Sequence, residues 1–240
     1  MSASHIETTI KSIGGMIMTG KLFAEAIVKV SMGVLLLGIL IFAPAGTFYY
    51  WQGWLLMGIL FIPMLIAGVV MMFKSPDLLR KRLGAKEKEN TQKAVVATSG
   101  LMFIAGFVVA GLNFRFQWFL LPNWIVIVGA VLFLIAYALY AEVLRENAYL
   151  SRTIEVQENQ KVVDTGLYGI VRHPMYAVTI LLFLSMPLVL GCFISFVIFL
   201  IYPVIIAVRI KNEEEVLEKG LEGYTQYKQK VKYRLIPFIW

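Results

Sequence analysis

Cysteine and histidine are nearly absent: one Cys and two His in 240 residues. The lone Cys192 rules out an internal disulfide framework and a Cys-rich metal site. It falls in an apolar run, so a packed thiol is expected there rather than a reactive one. His5 and His173 are too few for an imidazole-based zinc centre, so no metal is expected. No nucleotide fingerprint of the GxGxxG or Walker type occurs. The first twenty residues lack a charged start, a compact apolar block and a small-residue cleavage site, so no cleavable signal peptide is expected. Charge is scarce as well, at 15% of residues, and none falls between Met175 and Val208.

What is present is apolar. Hydrophobic residues make up 59% of the chain, and its mean hydropathy is +0.76. A soluble protein of this length could not bury that much apolar surface. Several stretches approach the roughly 20 apolar residues that cross a bilayer. The expected class is an all-α, polytopic membrane protein. Spans are predicted near Ala26–Phe48, Trp54–Phe73, Ala94–Phe114 and Trp124–Leu144. Ahead of them, Ile6, Ile10, Ile13 and Ile17 fall at helical spacing within Met1–Phe23, as in an interfacial helix or a loosely ordered tail.

The run Met175–Val208 would make one helix of about 50 Å, against a hydrocarbon core of about 30 Å. It is therefore read as two short helices meeting in a turn, with Pro187 and Gly191 supplying the break. Six spans result, the last two a hairpin. With six, Lys74–Lys93, Arg145–Val171, both termini and every Lys or Arg except Arg115 share one side. By the positive-inside rule that side is cytosolic. The net charge of +7 thus belongs to membrane-flanking loops and predicts no nucleic-acid partner.

The hairpin also brings two distant polar clusters together. Arg172-His173-Pro174 stands where one limb begins, and Arg209 and Glu213 where the other ends. Each has an ordinary reading: Pro174 as a first-turn proline, Arg172 on lipid phosphates, His173 as an interfacial hydrogen bonder, Arg209–Glu213 as an i,i+4 ion pair. Charge near hydrocarbon is costly, so the cluster as a whole points to a polar-ligand site. Beyond it, Leu217, Leu221, Tyr224, Tyr227 and Val231 follow helical spacing, as in an amphipathic helix that lies on the membrane and closes the pocket, or in a simple surface helix.

The stretch "GLYGIVRHPMY", an apolar hairpin, "RIKNEEEVL" and then "GYTQYKQKVKYRLIP" resembles the isoprenylcysteine carboxyl methyltransferase family, within a wider group that includes phospholipid N-methyltransferases. The resemblance covers Glu142–Trp240. It divides one integrated domain into four membrane helices, 1–144, and a catalytic region, 145–240. It implies S-adenosylmethionine as cofactor, bound at the cytosolic mouth of the hairpin beneath the tail. By position, the cofactor contacts it implies are Gln157, Gln160, Lys161, Val162, Val163, Tyr168, His173, Pro174, Met175, Tyr176 and Glu213. It places Arg209 on the acceptor carboxylate, which makes Arg209 and Glu213 the catalytic pair. A glycine usual two residues after the motif tyrosine is Val178 here, which leaves close helix packing at that point in question.

The residue types suit methyl transfer. A carboxylate is already a nucleophile at neutral pH, so orientation is the main requirement. Arginine can hold a carboxylate in a two-pronged grip, and tyrosine faces attract a sulfonium. The acceptor's lipid part would enter from the bilayer. The expected function is carboxyl O-methylation of an isoprenylcysteine-like lipid, at the cytosolic face of a multi-pass membrane protein. The nearest rival is a phospholipid or amine N-methyltransferase, which needs a general base such as Glu213, Glu214 or His173. A sterol-reductase-like enzyme and a small transporter or scaffold are the remaining alternatives.

Overall fold

The computed structural model describes residues 3–75, 79–80, 83, 90–147, 149–150 and 156–240; side chains are described from 20 onward, except those of 21 and 90–92. Most of the expected basic loop Lys74–Lys93, and the side chains of the N-terminal isoleucines, lie outside that description. The described chain is helical: α1 Ala3–Ala45, α2 Trp51–Lys74, α3 Asn90–Phe116, α4 Asn123–Glu146, α5 Pro174–Val189, α6 Phe193–Phe199, α7 Ile201–Gly220 and α8 Tyr224–Lys230. The first twenty residues are not set apart as a separate interfacial helix. From Ala3 they continue into the first span as one 43-residue helix, about 65 Å long.

Five segments are long and apolar enough to cross a membrane: Leu22–Ala45, Trp51–Lys74, Lys93–Phe116, Asn123–Glu146 and Phe193–Gly220. The sixth apolar helix, α5, has 16 residues and is about 24 Å long, short of a hydrocarbon core. Six full spans were expected; five long helices and one short apolar limb are found. The hairpin itself is present. Its turn is Leu190–Cys192, with Gly191 at φ +66, while Pro187 sits inside the last turn of α5. The returning limb is jogged at Leu200, between α6 and α7. Pro203, at the third position of α7, has no N–H to give the carbonyl of Phe199, and its ring crowds that carbonyl.

The end of the bundle that carries Arg115 is tied by backbone and side-chain bonds between its turns. Leu121 N donates to Gly191 O at 2.9 Å, Tyr50 Oη donates to Leu190 O, and Asn113 Oδ1 accepts from Phe119 N at 2.9 Å. Cys192 is fully buried here, its sulfur accepting from Ser195 N at 3.3 Å, so the packed-thiol reading holds. Exposed Trp51, Trp54, Trp118 and Trp124 ring the same end, as aromatic residues do at a membrane interface.

Apolar side chains face both ways. Ile41, Leu56, Phe133 and Phe199 are buried inside the bundle, whereas Leu35, Ile39, Ile66, Leu101, Ile127 and Val204 are exposed on its flanks. In lipid, contact between helices rather than transfer from water holds such a bundle together. The broadest contact is α4 on α5. It closes at Gly129, where a Cβ would stand 2.7 Å from Leu188 Cβ and 3.0 Å from Val189 N. The close approach questioned at Val178 is therefore made from the neighbouring helix; Val178 itself is buried in the core.

Candidate functional site

Pro174 opens α5 at its first position, where the missing N–H costs nothing, and His173 caps it in a non-helical conformation. The chain just before the helix is thereby free to pair elsewhere. Arg172 N donates to Tyr233 O and His173 N to Arg234 O, both at 2.9 Å, so the tail runs alongside the RHP segment. Arg172 is buried, not spread over a lipid surface. Its Nη1 donates to Val231 O at 2.7 Å and Lys232 O at 2.8 Å, and its Nε to Glu214 Oε1 at 2.8 Å.

Glu214 is the centre of this junction. The residue is 3% exposed. His173 Nε2 lies 3.2 Å from Oε1, and Arg234 gives a forked pair of hydrogen bonds to Oε2 at 3.0 and 2.8 Å. Hydrogen bonding to Glu214 raises the Arg234 guanidinium pKa further above its ordinary value. One carboxylate on α7 thus joins the start of α5 to the tail. Two arginines and an imidazole satisfy it, as a buried charge requires. The two ends of the hairpin meet as the expected doubling back demands.

One helical step away, a second cluster faces open space. Tyr176 Oη donates to Glu213 Oε2 and accepts from Arg209 Nε at 2.8 Å, with the Arg209 guanidinium 5.9 Å from the Tyr176 ring centre. Arg209 and Glu213 therefore converge on one phenol. They line a cleft of about 830 Å³, open solvent included, at the charged end. Of the residues named from sequence, Gln160, Lys161, Val162, Val163, Tyr168, His173, Met175, Tyr176, Arg209 and Glu213 line it. Gln157 and Pro174 do not. Gln157 supports the loop from behind: its side chain donates to Tyr149 O, and its N–H donates to Gln160 Oε1 at 2.9 Å. Pro174 is buried at the helix start.

The wall bearing Tyr168 is a short 3₁₀ turn, Gly166–Gly169. Gly166 has φ +53, and a Cβ there would fall 1.5 Å from Glu146 Oε1. The Glu146 carboxylate accepts from Leu167 N at 2.9 Å, so the turn seats on the end of α4 only because residue 166 has no side chain. Across the cleft, Tyr227 Oη donates to Tyr168 O at 2.7 Å.

The roof is the tail. Leu221, Tyr224, Tyr227 and Val231 bury their side chains together against Val156, Val162 and Leu217. The tail thus closes the cleft as expected, but its apolar stripe is spent inside the protein and not on a membrane surface. It is also split between α7 and α8 by a turn at Leu221–Gly223. Burial holds the Tyr224 and Tyr227 phenols well above their usual pKa, so both remain neutral. Tyr224 Oη is buried in this wall with no hydrogen-bond partner among the described residues. An orphaned hydroxyl beside a cleft is a donor awaiting a ligand.

Behind Tyr176 lies a second cavity, of about 990 Å³ with open solvent included, bounded by α3, α4, α5 and α7. Val95, Ser99, Phe103, Thr179, Tyr202 and Ile206 are among its walls. Met175, Tyr176 and Arg209 line both spaces, so the polar cleft and this mostly apolar cavity adjoin at those three residues.

Residues 124–219 match the isoprenylcysteine carboxyl methyltransferase (ICMT) family model. That region, two fifths of the chain, is similar to the family. It contains α4, the 3₁₀ turn, the hairpin and α7, and so most of the cleft except its roof. The match implies a membrane methyltransferase. The chain is also similar to "Uncharacterized protein YpbQ" of Bacillus subtilis (strain 168), 26% identical over 167 residues, which cover 69% of this chain and 96% of that one.

Three residues of the site escaped the sequence reading. The sequence offers Glu214 as a candidate base or part of a solvated charge run, gives Arg234 no role, and sets Tyr224 on a pocket-closing helix that lies on the membrane. For Glu214 a signal did exist. Ile206, Ile210 and Glu214 lie at i, i+4 and i+8, and the first two are core residues, so Glu214 continues a buried stripe. Glu213 falls instead on the stripe of Arg209.

Proposed function

We propose that this protein transfers a methyl group from S-adenosylmethionine to a lipid-borne acceptor at the cytosolic membrane face, and that the acceptor is a carboxylate of the isoprenylcysteine type. The supporting observation is the junction at Met175, Tyr176 and Arg209, where a water-facing polar cleft adjoins an apolar cavity. A charged cofactor and a lipid tail need those two environments, and the reacting atoms must meet where they join.

The donor set fits the cofactor. Glu213 offers a half-buried carboxylate to the ammonium or ribose hydroxyls, and Tyr224 an unclaimed hydroxyl. Tyr168 and Tyr176 offer aromatic faces to the sulfonium, and Val162, Val163 and Leu221 an apolar bed for the adenine. The cofactor supplies an electrophilic methyl group. The chain's own work is alignment: Arg209 holds the acceptor anion at the junction, and Tyr176 fixes Arg209 through a hydrogen bond. A carboxylate arrives deprotonated, so no residue has to act as base. Val95, Phe103 and Ile206 would accommodate the lipid portion.

The test is calorimetric titration of the detergent-purified protein with S-adenosylhomocysteine, repeated on Glu213→Ala. Binding by the intact protein and its loss in the variant are expected. No binding by the intact protein would remove the reading. Methylation rates that stay level from neutral to alkaline pH are expected for a carboxylate acceptor; a rate that climbs with pH would point to an amine.

A further inference from the structure

The apolar face of the tail helix is buried over the cleft, yet a different part of the tail is conspicuously apolar and uncovered. Phe238 is 86% exposed, Ile239 77% and Ile236 51%. They sit on a tight turn closed by four backbone hydrogen bonds. Leu235 N and Ile236 N donate to Trp240 O at 2.8 and 3.0 Å, and Ile239 N and Trp240 N to Ile236 O at 3.2 and 3.1 Å. Phe238 is in the left-handed region at φ +67, a conformation unfavourable for a phenylalanine. The base of the turn is anchored: Leu235 is buried in the main core, and the Arg234 guanidinium lies 5.3 Å from the centre of the Trp240 ring. A rigid turn thus projects bulky apolar side chains outward.

Its surroundings identify what covers it. Arg172 and His173, at the very start of α5, hold the tail by backbone bonds to Tyr233 and Arg234. The turn therefore stands level with the point where an apolar helix leaves the membrane. Exposed Ile170 lies just before that point, and on the tail Lys232 is an exposed cation beside Lys230, which is exposed and paired with Asp164 at 2.7 Å. Apolar tips flanked by lysines match a bilayer surface bearing anionic headgroups. We propose that Ile236, Phe238 and Ile239 form a wedge inserted into the interfacial zone of the membrane, which pins the roof of the cleft to an anionic lipid surface. The wedge is independent of which methyl acceptor the site uses.

The chain lends itself to a direct test, because its only cysteine, Cys192, is fully buried. A Phe238→Cys variant labelled with an environment-sensitive dye is reconstituted into vesicles of phosphatidylcholine and phosphatidylserine. Glu222→Cys, on the exposed side of the roof, serves as the aqueous reference. At 238 the expected result is blue-shifted emission, quenched strongly by shallow spin-labelled lipids and several-fold less by iodide than at 222. Equal iodide quenching at the two positions would overturn the proposal. So would protection from iodide without quenching by the lipids, which would assign the patch to a second copy of the chain. A second measurement avoids the label. Replacing Ile236, Phe238 and Ile239 by serine should raise tryptic cleavage at Lys230 and Lys232 several-fold in vesicles, and unchanged cleavage would also overturn it.

Discussion

Replacing Glu214 by alanine takes one carboxylate from three hydrogen-bonded partners and from Lys228, which stands 4.0 Å away. The side chains of Arg172 and His173 are 5% and 4% exposed, so neither can recover its lost interaction from water, whereas Arg234, at 26%, can do so in part. Breaking a buried ion pair from one side costs about 3–5 kcal/mol. Arg172 keeps its bonds to Val231 O and Lys232 O, which favours the low end. A loss of about 3 kcal/mol is a factor of roughly 150 in the opening equilibrium of the tail. Hydrogen exchange in detergent reads this directly, because the Arg172 and His173 amides are bonded to tail carbonyls. Both should exchange about a hundredfold faster in Glu214→Ala while amides in α4 are unaffected. Glu213→Ala, one residue away, should leave that exchange within about threefold, since it forfeits chiefly the Tyr176 hydrogen bond, worth roughly 1.5–3 kcal/mol and outside the tail junction. Unchanged protection in Glu214→Ala, or loosening of the tail by Glu213→Ala, would refute the division between a structural and a ligand-facing glutamate.

Tyr176→Phe keeps the ring and removes the hydroxyl that holds Arg209. The expected outcome is a fall in acceptor kcat/KM of roughly tenfold or more with S-adenosylhomocysteine affinity little changed, measured by methylation kinetics and calorimetry. Gly166→Ala must displace Glu146 and hold a side chain at positive φ, costing about 1–2 kcal/mol; lower thermal stability and weaker S-adenosylhomocysteine binding are expected. The exposed Asp164 carboxyl is held below its ordinary pKa, first by its hydrogen bond to Lys230 and then by that charge. Its tie to the tail is therefore complete above the ordinary carboxylate pKa and lost as pH falls through the lowered value. Asp164→Asn should flatten that acid limb in tail hydrogen exchange, and a limb of unchanged shape would assign it to another group.

Where sequence was informative, hydropathy and length did the work. The expected spans at Trp54–Phe73, Ala94–Phe114 and Trp124–Leu144 lie within four residues of helix ends at Trp51–Lys74, Asn90–Phe116 and Asn123–Glu146. The doubling back of Met175–Val208 followed from a run too long for a bilayer. The shortness of α5 was less accessible, because apolar composition continues through the turn and only the Gly191 backbone conformation marks its end. In the site, topology alone set Arg209 and Glu213 beside the start of α5, and both line the cleft there. Sequence missed what depended on the tail's path. Tyr224 and Tyr227 look alike on a membrane stripe and on a cleft roof, since both environments reward an apolar body with a polar tip. Arg234 was invisible for the same reason: its partner lies 20 residues back, across a turn no local pattern predicts.

The two adjacent glutamates show how a membrane protein keeps charge at the edge of hydrocarbon. A helix advances about 100° per residue, so neighbouring residues face different surroundings. Glu214 turns inward and is hydrogen-bonded within the protein by Arg172, His173 and Arg234, and in doing so it closes the tail over the cleft. Glu213 turns toward the cleft, where a single phenol links it to Arg209. That arrangement holds a carboxylate and a guanidinium on either side of one phenol hydroxyl. A cationic ligand that takes Glu213 leaves Tyr176 bonded to Arg209, and an anionic ligand that takes Arg209 leaves Tyr176 bonded to Glu213. Neither exchange disturbs Glu214, so ligands can come and go at the hairpin mouth while the fold there stays shut.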